Sequence, residues 1–139
     1  MVDADELSVP SQWVEIAAAE HRRLLQRLDG LVANGTLDAS ARSRLPDWTV
    51  GHVLTHIAQS ADGHVRMLDA AASGEVGVQY PGGVDGRIAG IEAGAQRPAA
   101  EQVEGLRRSC TSGPNGMGQM TLHFRGRRSL STRRPDSPG

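Results

Sequence analysis

A chain of 139 residues with a net charge of −1 has material for one core, and its single cysteine, Cys110, excludes both an internal disulfide and a cysteine-rich zinc site. The first residues are acidic where a secretory leader is basic, and no apolar run nears the roughly 20 residues that span a bilayer, so a cytoplasmic protein with no membrane partner is expected. The cations are all arginines and unevenly placed: residues 1–106 carry 8 Arg against 15 Asp and Glu, a net of −7, whereas residues 107–139 carry 7 Arg against Asp136 alone, a net of +6.

From Ser11 to Val32, Trp13, Ile16, Ala17, Leu24, Leu28 and Leu31 recur at helical spacing and predict an amphipathic helix, closed by Gly30, Asn34 and Gly35. His21 falls near that apolar stripe and reads as a packed or part-exposed helix histidine. Leu37 to Arg44 has the composition of about two further helical turns before Pro46 interrupts.

Leu45-Pro46-Asp47-Trp48-Thr49 then leads into a second long helix, from Val50 to about Ala72. Thr49 is a good N-cap, because its hydroxyl oxygen can accept from the backbone N–H of His52. Trp48, just before the cap, reads as a hydrophobic staple. The core face is Val50, Val53, Leu54, Ile57, Ala61, Val65 and Leu68, and His52, His56 and Gln59 form a stripe beside it. Histidines at i and i+4 share a face, which is how helices often present metal ligands. His64 is rotated about 80° from that stripe. Gly51 and Gly63 flank the stripe at a cost in helix propensity, which points to close approach by a neighbouring helix or ligand.

Tyr80-Pro81-Gly82-Gly83 reads as a turn, followed by a shorter helix from Val84 to Ala95 with Arg87 and Glu92 as exposed charges. Pro98 suits a first helical turn, and Ala99 to Arg108 continues with Val103 and Leu106 as core residues. No strand pattern competes, so residues 1–108 predict an all-α, up-and-down helical bundle. Residues 109–139 are rich in Gly, Ser, Pro and Arg and poor in apolar residues, the composition of a disordered tail. With one Phe and no recognisable module, the tail gives no reason to expect a nucleic-acid partner.

Two stretches carry a resemblance: Leu45-Pro46-x-Trp48-Thr49-x-Gly51-His52-Val53-Leu54-x-His56-Ile57-Ala58, and Tyr80-Pro81-Gly82-Gly83-x-x-x-Arg87-x-x-x-Ile91-Glu92-x-Gly94-Ala95-x-Arg97-Pro98. In this order they resemble the amino-terminal metal-binding domain of mycothiol-dependent maleylpyruvate isomerases, within the wider DinB-like helical bundles. The resemblance runs from about Glu15 to Arg108. It implies a divalent metal, usually zinc, held by a histidine early in the second long helix and by a Glu-x-x-x-His pair on a later one. The position matching the first ligand is His52. It also implies mycothiol as thiol cosubstrate and a small-molecule substrate, maleylpyruvate, whose cis double bond becomes trans by thiolate addition, rotation and loss of the thiolate.

No Glu-x-x-x-His follows His52, no acidic residue occurs from Gly105 to Pro135, and His123 is the sole late histidine. His56, or a carboxylate such as Glu20, would have to join His52 to rebuild a site. The expectation is therefore a family sequence that stops near Ser109, bundle incomplete at its carboxy-terminal end, followed by an unrelated tail as a frameshift would produce. Such a product would be inactive and would self-associate through apolar helix faces left without a partner. The alternative is a non-catalytic DinB-like binding or interaction module with a vestigial metal site.

Overall fold

A computed structural model describes residues 9–111, apart from the side chains of residues 9–11, 13 and 14. The acidic first residues, the Trp13 side chain, His123 and the basic tail lie outside the described residues. Four helices follow one another: α1 (Val9–Ala33), α2 (Val50–Ala72), α3 (Gly83–Ala95) and α4 (Ala99–Thr111). The all-α reading holds, and the boundaries of α2 and α3 fall within a residue of those expected. No helix among the described residues is long and apolar enough to cross a membrane.

Both long helices end where glycine permits. Gly35 (φ 66°) and Gly74 (φ 76°) take the left-handed conformation that closes a helix. The N–H groups of Thr36 and Glu75 then reach back to the carbonyls of Leu31 and Ala70, at 2.9 and 2.8 Å, and the last turns are satisfied.

Leu37 to Arg44 is not helical. Asp38 draws the Ser40 N–H (2.9 Å) and hydroxyl (2.6 Å) onto its carboxylate, a local turn that competes with helix formation. The carbonyls of Ala39 and Ala41 are used elsewhere: they accept from the first N–H groups of α2, Gly51 at 2.8 Å and Val50 at 2.9 Å. A single antiparallel bridge, Arg42 to Thr49, holds the two sides of this loop together. The segment that composition marks as helix is thus the cap of the next helix.

Helix α2 lies against α3 and α4, and α4 also packs on α1. Leu25 and Leu28 of α1, Leu54 of α2 and Val103 and Leu106 of α4 form the buried core, with Leu106 wholly enclosed. Val50 and Ile57 pack against it, as the periodicity predicts. The predicted core face fades toward the end of α2, where Met67 and Leu68 are exposed. The reason is length: α2 has 23 residues and its neighbours α3 and α4 have 13 each, so its last turns have no helix to cover them.

Glycines set how close α2 and α3 come. A β-carbon on Gly94 would run into the Thr55 side chain and one on Gly90 into Gln59. One on Gly51 would lie 2.8 Å from the Ala95 carbonyl and 2.9 Å from the Gln102 amide nitrogen, confirming the close approach read from the sequence. Gly51→Ala should therefore destabilise the protein by on the order of 1 kcal/mol in urea unfolding, although alanine is the better helix former by about that amount. Gly30→Ala, in α1 with open space around it, should stabilise by roughly 0.5–1 kcal/mol in the same assay. Equal effects at the two sites would contradict the packing described.

Candidate functional site

The loop that caps α2 also orients its first histidine. The Thr49 hydroxyl accepts from the His52 N–H at 3.4 Å, as the sequence predicts, and the His52 ring returns the bond: the Thr49 N–H donates to Nδ1 at 3.1 Å. The Thr49 hydroxyl is itself 2.7 Å from Nδ1. This is a capping box in which imidazole replaces the usual Glu or Gln. A backbone N–H can only donate, so Nδ1 is the accepting nitrogen and the ring proton is assigned to Nε2. His52 is buried, and its Nε2 donates across the helix interface to the Glu92 carboxylate of α3, at 3.2 Å.

One turn further along α2, His56 meets a cation. The Arg87 guanidinium of α3 donates to its Nδ1 at 3.2 Å. Burial first, and then the Arg87 charge, hold the His56 pKa below its ordinary value, so the ring is neutral at pH 7. Trp48 covers both histidines, stacked on His52 with ring centroids 6.1 Å apart and edge-on to His56 at 5.5 Å. Its role is thus larger than that of a staple, since it forms one wall of the histidine stripe. Arg87 also lies over the Tyr80 ring, 5.6 Å from its centroid, and the Tyr80 hydroxyl is 3.4 Å from that of Ser60. The Ser60 hydrogen bond, followed by the Arg87 and Arg66 charges, lowers the Tyr80 pKa.

The structure therefore joins Trp48, His52, His56, Arg87 and Glu92 into one cluster. Sequence reading placed the two histidines on one stripe with Gln59, took Trp48 for a staple and took Arg87 and Glu92 for exposed charges; Glu92 is indeed exposed, whereas Arg87 is half-buried. The signal that could have found them is the second motif itself, whose Arg87 and Glu92 are separated by five residues on α3, while their partners are separated by four on α2. Glu20 does not approach His52; it pairs with Arg23 on the exposed face of α1. His64 is exposed and outside the cluster.

Two clefts border this region. The larger, of about 490 Å³, lies among α2, α3 and α4 and mixes signs, with Asp62 and Glu101 against Arg97 and Arg108. The smaller, of about 280 Å³, is lined by Gln59, Asp62, Arg66, Tyr80 and Arg87. Arg87 links the smaller one to the histidines, so the chemistry collects there despite its size.

His52 and Glu92 are two donors facing one another, but no group of three His, Cys, Asp or Glu side chains converges among the described residues. A zinc site takes at least three protein ligands, so these residues alone do not complete one. Coordination through Nε2 would also require its proton to move to Nδ1. That nitrogen could then donate to the Thr49 hydroxyl, but it could no longer accept the Thr49 N–H.

The sequence matches the family described as the mycothiol maleylpyruvate isomerase N-terminal domain over residues 17–122. No curated protein and no solved structure is matched by the chain. The chain belongs to this family.

The His56 environment has a measurable consequence. In an NMR titration its imidazole should protonate below the ordinary value of 6.5. The unfolded chain takes up that proton near the ordinary value and the folded chain only at lower pH, so acidification through this range should erode stability. Above about pH 7.5 both states are deprotonated, and stability keeps its full value without further dependence on this group. Arg87→Ala should raise the His56 midpoint only part of the way, since burial is the larger cause. An unchanged midpoint would show that the guanidinium is not beside the ring.

Proposed function

We propose that, as a member of this family, the chain binds a small acidic substrate along the His52–His56 stripe and takes part in mycothiol-dependent cis-to-trans isomerisation of maleylpyruvate. In that chemistry the thiolate adds to the conjugated carbon and the electron pair of the double bond moves toward the carbonyl. The remaining single bond rotates, and expulsion of the thiolate restores the double bond in the trans form. The observation that carries this reading is the alignment of two α2 histidines with two oppositely charged α3 side chains at hydrogen-bonding distance. Arg87 supplies fixed positive charge for an acidic substrate, Trp48 packs against both imidazoles, and the His52–Glu92 pair can hold a proton at Nε2.

His52 is also the proposed metal ligand, with zinc as the expected ion and Glu92 as the described carboxylate nearest to it. A full set of donors needs at least one more from outside the described residues, and His56 can offer only its Nε2 while Arg87 holds Nδ1. A second reading is favoured by one feature of the same site. Both nitrogens of His52 already have protein partners, as expected of a binding or interaction module that retains the ligand position without its ion.

Zinc titration of the full chain, read by native mass spectrometry, separates the two. The isomerase reading predicts one equivalent of zinc retained by the unaltered protein, lost in His52→Ala and weakened in Glu92→Gln, together with a melting temperature that falls on adding chelator. Absence of bound zinc with a chelator-insensitive melt would leave the vestigial-site reading.

A further inference from the structure

Arg87 is half-buried, yet it forms no ion pair with any carboxylate among the described residues. Its partners are the uncharged Nδ1 of His56 and the face of Tyr80. A guanidinium drawn partly out of water and fixed by neutral groups keeps its full charge and its planar fork, which is the arrangement that receives a planar anion.

Three neighbours strengthen the case. Arg66 lines the same cleft and is anchored through Nε (3.3 Å) and one Nη (2.7 Å) to the Gln79 carbonyl, which leaves its charge at the cleft wall. The Tyr80 hydroxyl stands between the two arginines' elements and bonds Ser60. Helix α3 begins beside the cleft, at Gly83, with Gly82 as its N-cap and no side chain capping its first turn, so the positive end of its dipole adds to the field. Asp62 lines the cleft as well, and Asp85 sits in the first turn of α3. These two carboxylates reduce the net charge available, which suits a singly charged, planar carboxylate better than a doubly charged tetrahedral phosphate.

We infer that the cleft between Arg66, Tyr80 and Arg87 is a carboxylate subsite that seats one end of a short dicarboxylic acid. Its chain then lies along His56 toward His52, one helical turn or about 6 Å away. This rests on the reading that the cluster takes a small acidic substrate, but not on the presence of a metal. A substrate gripped at one carboxylate on Arg87 has its middle carbons beside Trp48 and the two imidazoles, where the bond to be rotated would have to sit.

The test uses the full-length protein kept metal-free with chelator and maleate as the probe, followed by calorimetry and by the His56 NMR signals. Saturable binding is expected, with perturbation of the His56 ring. Arg87→Ala should weaken it about tenfold or more, the usual weight of a charged hydrogen-bond pair. Arg87→Lys, which keeps the charge but loses the fork, should weaken it less, Arg66→Ala should weaken it by a smaller factor than Arg87→Ala, and Arg23→Ala should leave it unchanged. Circular dichroism of each variant confirms that the helices remain. Failure of the metal-free protein to bind maleate, equal affinity in folded Arg87→Ala, or inorganic phosphate competing as well as maleate would each overturn the carboxylate subsite. Zinc retention without Arg87-dependent maleate binding would sink this inference alone. Maleate binding without zinc retention would sink the metal reading alone.

Discussion

The seating of the α2 N-terminus is the constraint on which the rest of this domain depends. A helix start leaves N–H groups without intrahelical acceptors, and here each one has a named partner. Val50 donates to Ala41, Gly51 to Ala39 and His52 to the Thr49 hydroxyl, and Val53 begins the intrahelical series at the Thr49 carbonyl. All four of these acceptors belong to the loop before the helix or to its cap, so loop and helix form one unit. The Gly51 backbone can then press against the Ala95 carbonyl and the Gln102 side chain, which itself donates to Ala95 (3.1 Å) and Arg97 (2.8 Å) at the α3–α4 turn. One point of contact thereby fixes the start of α2, the end of α3 and the start of α4. The rotation of α2 about its axis follows, and with it the direction of His52.

From that rotation the electrostatics follow in register. α2 and α3 run antiparallel, with Thr55 against Gly94 and Gln59 against Gly90 on one row, and His52 against Glu92 and His56 against Arg87 on the next. The first row is steric and the second is polar. Without side chains at positions 90 and 94 the helices come close enough for the short imidazoles to reach across. The two pairs also differ in kind. His52 donates to an anion through Nε2 and His56 accepts from a cation at Nδ1, so both rings carry their proton on Nε2 and only that of His56 is left to donate to whatever lies beside them. Trp48 packs against both rings, while the Glu92 end of the first pair stays open to solvent.

Much of this was legible in the sequence, and the parts that were not share a cause. The capped start of α2, the His52 position, the glycine approach at residue 51 and the helix order all follow from local patterns, because cap geometry and helical periodicity act within a few residues. Leu37 to Arg44 misleads because its helical composition is real, while its carbonyls are claimed by α2 across the loop. Tertiary use of the backbone decides there. Leu68 misleads in the opposite way: its spacing is correct for the core, yet α3 and α4 are too short to cover it. Arg87 and Glu92 are the largest gain from the structure. Their partners lie 31 and 40 residues away, and no periodicity within α3 reports which face will meet α2.

The cap also bears on how far family membership carries. Two roles at His52 would compete for one proton: as part of the capping box its Nδ1 accepts, whereas an Nε2 metal ligand would need hydrogen on Nδ1. The Thr49 hydroxyl, 2.7 Å from Nδ1, can serve either arrangement, because it can donate to the bare nitrogen or accept from the protonated one. Only the Thr49 backbone N–H loses its partner in the second, a cost of about 1–3 kcal/mol if the group stays buried. A complete set of metal donors would offset that readily. Two donors would not, and the capped, Glu92-bonded form would then be the resting state of the site. The same threonine that makes the helix start recognisable in sequence therefore makes the site tolerant of either state, and the number of donors decides between them.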